Sequence, residues 1–297
     1  MLPPRARNYL ITALVVPALL AVGCGNSPKT IVVGSMSSTE QMLLAEIVSQ
    51  HLEHRLGRKV DRRPNIGGTL SAYQALQNRE IDLYPEYAGS IVTEILKEQP
   101  AADASLIFER AKGEMKRVAQ ADLLNPLGMD NSFVAVIRLA DPRAAKVSTL
   151  SEAAAASDGW ILGASPEFQQ LTDGMVALTQ YKLPMKAAPR SMGGDLLFSA
   201  LEQTALTMIV VRATDGVLTE RTVKTLRDDR NVFVPKQGCL LVQQNLLETQ
   251  PGVRAALEEL SGKFTTDKMR QLDALVDLGH LQAKDVAASF LGQAGLK

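Results

Sequence analysis

Few residues of this chain could do covalent or metal chemistry. Three histidines (His51, His54, His280) and two cysteines (Cys24, Cys239) are the whole supply of soft ligands among 297 residues. His51 and His54 stand three apart on a helix-like stretch, a spacing that could share a metal ion, but no third ligand lies nearby in sequence and solvated helix-face positions explain them better. Cys239 opens the apolar run Cys239-Leu240-Leu241-Val242 and reads as an inert core thiol. Asp82 and Glu86 bracket a strand end, where strand and cap duties account for both without an acid/base pair. No serine or cysteine nucleophile with a positioned base emerges, nor any phosphate-cradling loop, so neither an enzyme nor a cofactor or metal site is expected. Lysine plus arginine and aspartate plus glutamate both number 32, and that balance gives no global field toward nucleic acid or an anionic membrane. With 46% hydrophobic and 22% charged residues the composition is that of a globular chain, which excludes disorder, and aromatic residues are scarce at 4%.

The elements that must position the remaining polar groups alternate in an α/β pattern from Lys29 onward. Thr30–Gly34 predicts a first strand. Leu43, Ile47, Val48, Leu52 and Leu56 then recur at helical period until Gly57, with Ser37/Glu40 or Ser38/Gln41 at capping-box spacing. Lys59–Arg62 predicts a second strand, Leu70–Gln77 a helix, and Ile81–Tyr84 a strand ended by Pro85. Helix is predicted again over Tyr87–Lys97 and over Ala104–Leu124. Ser132–Ile137, Trp160–Gly163 and Thr207–Val211 predict strands, with helices near Gly174–Tyr181 and Gly194–Gln203, and the C-terminal section is helical. Asn131–Ile137 and Asn231–Cys239 read as two crossings between a lobe made from both chain ends and an inserted second lobe. The chain length suits two lobes, and a cleft between them suits a small solute.

The N-terminus has the pattern of an address. Arg5 and Arg7 precede an apolar run over Tyr9–Val22 that is shorter than the roughly 20 residues of a bilayer span. Leu20-Ala21-Val22-Gly23-Cys24 resembles the bacterial lipobox, whose cysteine is lipidated after cleavage, with Ala21 where leucine is usual. The expected layout is a signal peptide at 1–23, a lipidated tether at 24–29, lobe I at 30–132 plus 238–297, and lobe II at 133–237. Lipidation of Cys24 leaves Cys239 alone, so no intramolecular disulfide is expected in the mature chain.

Three segments carry a wider resemblance: Gly34-Ser35-Met36-Ser37-Ser38-Thr39-Glu40-Gln41, Gly67-Gly68-Thr69, and Asp82-Leu83-Tyr84-Pro85-Glu86-Tyr87-Ala88-Gly89-Ser90. They are similar to signatures of the substrate-binding lipoproteins of bacterial ABC importers for glycine betaine, carnitine, choline and related osmoprotectants. Pro126-Leu127-Gly128 with Asn131-Ser132-Phe133, Ala164–Phe168, Asp173-Gly174, Thr214-Asp215-Gly216 and Leu260–Lys263 follow in family order, so the resemblance covers the chain from about Thr30 onward. It implies a type II periplasmic-binding fold, in which each lobe is a mixed sheet flanked by helices and two crossing strands join them. It also implies a binding chemistry: a quaternary ammonium has no donor hydrogens and is held by aromatic faces, at about 0.5–2 kcal/mol per good contact, while a carboxylate takes hydrogen bonds from hydroxyls, amides and helix N-termini.

Carried over residue by residue, Tyr87 matches a cage tyrosine and Phe133 stands where a second is usual, whereas Tyr84 reads as structural. Arg212 replaces an aromatic residue, and Lys236 or Gln237 stands where a fourth is expected. A guanidinium repels a trimethylammonium, so either Arg212 leaves the cleft, or the ligand presents a polar or anionic group to it, or Arg212 pairs with Asp215 or Asp195. Ser38, Thr39 and Gln41 at a helix start could receive a carboxylate, with capping accounting for one of the hydroxyls. Thr69 could cap or bind, Ser90 could donate across the cleft, Asn131 could bind ligand or lock the hinge, and Thr214 belongs to the same constellation. The expected function is capture of a zwitterionic or quaternary-ammonium solute and its delivery to an inner-membrane ABC permease and its ATPase. The receptor is expected as a monomer lipid-anchored at Cys24, in the periplasm or at the outer cell surface. A ligand-sensing module without transport is the alternative, and a hydrolase lacks support.

Overall fold

The computed structural model describes residues 29–297 apart from Arg221, and the backbone alone of Asp195. The expected cleavage site and Cys24 lie outside the described residues. Two five-stranded mixed sheets organise the chain. The first has the order β2-β1-β3-β10-β4, built from β1 (Val32–Gly34), β2 (Asp61–Arg63), β3 (Leu83–Tyr87), β4 (Ala121–Leu123) and β10 (Gly238–Gln243). The second has the order β7-β6-β8-β5-β9, from β5 (Phe133–Arg138), β6 (Leu162–Ala164), β7 (Arg190–Ser191), β8 (Met208–Arg212) and β9 (Val223–Leu226). β1 runs parallel to β2 and β3 while β10 is antiparallel to β3 and β4, and β6 runs parallel to β7 and β8 while β5 is antiparallel to β8 and β9.

Alternation along the strands sends side chains to opposite faces. On β5, Phe133, Ala135 and Ile137 join one apolar cluster while Val136 joins another on the far face of the same sheet. The first sheet packs against the Thr39–Leu56 helix, which buries Leu43, Leu44, Ile47, Val48 and Leu52. Ser38 caps that helix by accepting from the Gln41 N–H at 3.3 Å, and Gly57 ends it at φ 64°.

Several expectations are corrected. Pro85 lies inside β3 rather than ending it. It pairs with Leu240, whose carbonyl faces Leu124 instead, so that position owes β10 no donor and a proline is tolerated. The helix expected through Leu124 is shorter: Ala104–Ala119 ends where Gln120 turns left-handed at φ 50°, and Ala121–Leu123 becomes an edge strand of the first sheet. Along it Leu106 and Val118 are exposed, whereas Ala111 and Met115 are fully buried. His51 is buried, not solvated, with its two ring nitrogens at 3.1 Å from the Leu296 carbonyl and 2.9 Å from the Ala256 carbonyl, and burial lowers its pKa. Those partners lie more than 200 residues away, beyond the reach of local pattern.

The two crossings run side by side. The Asn131 N–H donates to the Lys236 carbonyl at 2.9 Å, the Gly238 N–H to the Met129 carbonyl at 3.1 Å, and Asp130 bridges Gln237. Asp130 Oδ1 ties the turn together by accepting from the backbone N–H of Ser132 at 2.7 Å and of Lys236 at 3.3 Å. Two glycines mark close approaches around this hinge. A Cβ at Gly89 would stand 2.3 Å from the Pro235 carbonyl oxygen, and one at Gly216 would stand 2.6 Å from the Ala274 nitrogen. The second contact presses a segment of the second lobe onto the Thr266–Asp277 helix of the first.

Among the described residues no helix is long and apolar enough to cross a membrane. Gly89→Ala is expected to lower unfolding free energy by about 1–3 kcal/mol because carbonyl and side chain must part. Gly113→Ala, on an exposed helix face with nothing within 4 Å, is expected to raise it by up to about 1 kcal/mol; urea titrations of both variants check the contrast. Glu86 on β3 is fully buried, and burial raises its carboxyl pKa from 4.5 to about 8. Below pH 4.5 both states hold the proton; between 4.5 and 8 only the folded state does, so stability falls as pH rises through that window. Glu86→Gln is expected to flatten this slope by about 4 kcal/mol at most between pH 5 and 8, read from urea midpoints at the two pH values.

Candidate functional site

The site is built around a carboxylate that the spacing of the sequence presents only as a capping residue. Glu40, in the first turn of the Thr39–Leu56 helix, is 4% exposed. The hydroxyl of Tyr87, at the end of β3, donates to it. Asn131 Nδ2, from the outgoing crossing, lies 3.1 and 3.2 Å from its two oxygens and 2.5 Å from the hydroxyl of Thr214. Burial raises the Glu40 pKa, opposed by hydrogen bonds from Thr214, Tyr87 and Asn131 and by the charge of Arg212. One acid therefore gathers a strand of the first lobe, a crossing strand and a loop of the second lobe. Asp273 on the Thr266–Asp277 helix is buried nearby, and burial, then the charges of Glu40, Asp277 and Asp215, push its pKa well up. Gln41, the next residue to Glu40, is 1% exposed, and neither its amide nitrogen nor its amide oxygen has a hydrogen-bond partner among the described residues.

A second polar group centres on Lys236 in the return crossing. Its side chain is 1% exposed, and its Nζ lies 3.1 Å from Ser90 Oγ, 3.0 Å from Asp173 Oδ2 and 3.6 Å from Glu94 Oε1. Ser90 and Glu94 follow β3 of the first sheet, while Asp173 follows β6 of the second, so this ammonium ties the surroundings of the two sheets together. Phe133 links the two groups. Its ring packs edge-on against Phe168 at 4.8 Å and Phe233 at 6.1 Å between centroids. The Arg212 guanidinium stands over it at 3.8 Å, and the Lys236 ammonium lies 5.8 Å from its centroid. Arg212 pairs with Glu167, a partner not foreseen from the sequence, and reaches the Asn131 carbonyl at 3.4 Å.

The expected site residues thus divide. Gln41, Tyr87, Asn131, Phe133, Arg212 and Thr214 meet in one contiguous region, and Ser90 joins it through Lys236. Ser38 is exposed and occupied as a helix cap, and the Thr39 hydroxyl donates to Asp277 at 2.7 Å. Thr69 is buried with its hydroxyl against the Met36 sulfur at 3.7 Å, in the first turn of a helix capped by Gly68 rather than by itself. Gln237 is half-buried, its amide oxygen lacking a hydrogen-bond partner among the described residues. Of the two residues nominated for the fourth aromatic position, Lys236 is the one that reaches Phe133. A groove of about 400 Å³ opens beside the hinge, lined by Ser132, Phe133, Arg227, Phe233 and Arg270 among others, but it does not include Glu40, Tyr87 or Lys236. The polar cluster, rather than that groove, holds the convergent chemistry. Cys239 is buried, with its thiol pKa pushed well up by burial, as an inert core residue would be. Among the described residues no group of three metal-ligating side chains occurs.

The chain is 25% identical over 287 residues to the carnitine transport binding protein OpuCC of Listeria monocytogenes, covering 95% of this chain and 92% of that one. It is 26% identical over 275 residues to the glycine betaine-binding protein YehZ of Escherichia coli, covering 89% and 90%. A solved structure described as a glycine betaine/carnitine/choline ABC transporter superposes with a TM-score of 0.81 at 22% identity, covering 90% of this chain and 99% of that one, which identifies the two-lobed type II periplasmic-binding fold. The family model for the substrate-binding domain of ABC-type glycine betaine transport systems matches residues 29–293. With two hinged sheets, a polar cluster shared between them and a match along nearly the whole described chain, this protein belongs to that family of transport receptors.

Proposed function

We propose that the chain captures a small quaternary-ammonium or zwitterionic osmoprotectant of the glycine betaine, carnitine or choline type between its lobes and delivers it to an ABC permease. The observation that carries this reading is the convergence of Tyr87, Phe133, Asn131, Gln41 and Thr214, from both lobes and a crossing, on one buried region. Tyr87 supplies an aromatic face for a methylated ammonium, and its hydroxyl bond to Glu40 fixes the ring. Gln41, whose buried amide lies beside the Tyr87 hydroxyl, supplies a further donor and acceptor. A solute seated there touches both lobes, so binding favours the arrangement in which they meet, and that arrangement is what a permease would read. Lobe I would comprise 30–132 and 238–297 and lobe II 133–237, in line with the strands assigned to each sheet. The names of the relatives, a carnitine transport binding protein and a glycine betaine-binding protein, favour the same solute class.

The N-terminal pattern supports export across the inner membrane, removal of residues 1–23 and lipidation of Cys24. The receptor would then work as a monomer tethered outside the cytoplasm, beside a permease driven by its ATPase.

Titration calorimetry of the purified protein with glycine betaine, carnitine and choline tests the ligand class. Tyr87→Ala is expected to weaken binding by about tenfold, the value of one good cation–π contact; full affinity in that variant, or silence toward every methylammonium solute in a folded wild type, refutes the reading. For the anchor, Cys24→Ser is expected to move the protein from the membrane to the soluble fraction of fractionated cells, and unchanged attachment contradicts lipidation.

A further inference from the structure

We propose that the contact between the loop after β8 and the Thr266–Asp277 helix is a proton-operated latch: Asp273, buried beneath it, must hold a proton for the two to stay packed, and giving that proton up lets them part. The latch is a property of the chain alone, and its consequence for solute affinity rests on the receptor reading above.

Asp273 and Asp277 stand four residues apart and share one face of that helix. Asp277 accepts from the Thr39 hydroxyl at 2.7 Å, so this face meets the start of the Thr39–Leu56 helix, where Glu40 follows Thr39. The loop after β8 closes over the same place. A Cβ at Gly216 would stand 2.6 Å from the Ala274 nitrogen and 3.1 Å from the Asp273 carbonyl carbon, so backbone lies directly on backbone there. Asp273 is 4% exposed, and its Oδ1 has no hydrogen-bond partner among the described residues. An ionised carboxylate shut away from water without a donor is costly, and a proton removes the charge.

The charged groups that act on Asp273 are acids. Glu40 comes from the neighbouring helix, Asp277 from the next turn of its own, and Asp215 from the loop, where it accepts from the Val217 N–H at 3.0 Å. The donors and cations around them are committed elsewhere. Tyr87, Asn131 and Thr214 serve Glu40, and Arg212, whose charge also acts on Glu40, pairs with Glu167. Arg270, one turn before Asp273, holds the Ala213 carbonyl at 2.5 Å and Asp267 at 2.7 Å. Burial first, then the charges of Glu40, Asp277 and Asp215, hold the Asp273 carboxyl pKa well above 3.8, and burial raises that of Glu40 in the same direction. Parting the loop from the helix admits water and returns Asp273 toward its ordinary value. The packed arrangement therefore binds the proton more tightly than the parted one. Its advantage is complete below pH 3.8 and is lost as pH rises through the raised value. Thr214 rides on the same loop and lies 2.5 Å from Asn131, so parting also loosens the cluster around Glu40, and a solute seated there is let go as the medium turns alkaline.

Spin labels at Thr222→Cys and Gln271→Cys, exposed positions on either side of the contact, report its width by electron paramagnetic resonance in the purified protein without any solute. Between about pH 5 and about pH 8 the label distance is expected to lengthen, and the calorimetric affinity for glycine betaine to fall by about tenfold or more. Asp273→Asn, uncharged at every pH, is expected to keep the short distance and a level affinity across that range, with thermal unfolding at each pH confirming that both proteins are folded. A label distance indifferent to pH in the folded protein with Asp273 intact, or an Asp273→Asn variant that follows pH as that protein does, overturns the latch. Silence toward glycine betaine, carnitine and choline alike, with a label distance that still follows pH, overturns the receptor reading and upholds the latch.

Discussion

Burying a carboxylate is costly unless donors replace the water it loses, and in this protein the donors to Glu40 come from separate parts of the chain. Tyr87 arrives at the end of β3, Asn131 on the outgoing crossing and Thr214 in the loop after β8. None of these can move far without leaving Glu40 short of a partner. The acid therefore couples the angle of the Tyr87 ring, the path of the hinge and the position of a second-lobe loop. The desolvation that raises its pKa is opposed by the same bonds, so the strength of the coupling and the protonation of the acid are one property.

A second constraint follows from replacing aromatic residues by cations. A lysine buried at Lys236 needs an acid, and it finds Asp173 in the segment after β6 and, at longer range, Glu94 after β3. An arginine at Arg212 needs both a counter-charge and a surface, and it finds Glu167 and the ring of Phe133. These departures from an all-aromatic cage are thus integrated into the packing between lobes. Within a single family fold, the ring that could hold a ligand's ammonium has become a seat for the chain's own positive charges.

Much of the fold could be read from the sequence because its signals are local. Period-3.6 leucines and isoleucines gave the Thr39–Leu56 helix, Gly57 its end, and the apolar run from Phe133 the central strand of the second sheet. The errors arose where long-range context overrides local rules. Pro85 is tolerated in β3 because Leu240 turns its hydrogen bonds elsewhere, and His51 is buried because two carbonyls more than 200 residues away receive its ring. At the site, Tyr87, Asn131, Phe133 and Arg212 could be nominated through family resemblance. Glu40 and Asp173 could not be, since a charged residue in the first turn of a helical segment is ordinarily solvated. Spacing of 91 residues between Glu40 and Asn131 carries no periodic trace. The one available hint was the pairing of an unexpected lysine at 236 with the need for a nearby acid.

The contacts between lobes also bear on how affinity is set. A ligand shifts two hinged bodies only by the difference in its affinity for their arrangements. Here contacts made wholly by the chain run between the two sets of strands: Asn131 to Thr214, Lys236 to Ser90 and Glu94, and the close backbone approach of Gly216 to Ala274. Each lowers the free energy of the arrangement in which the lobes meet, whether or not a solute is seated. The fraction of molecules ready to bind rises accordingly, and less of the solute's own interaction energy goes into bringing the lobes together. The cost is discrimination: what the chain's own contacts supply no longer depends on the ligand's identity.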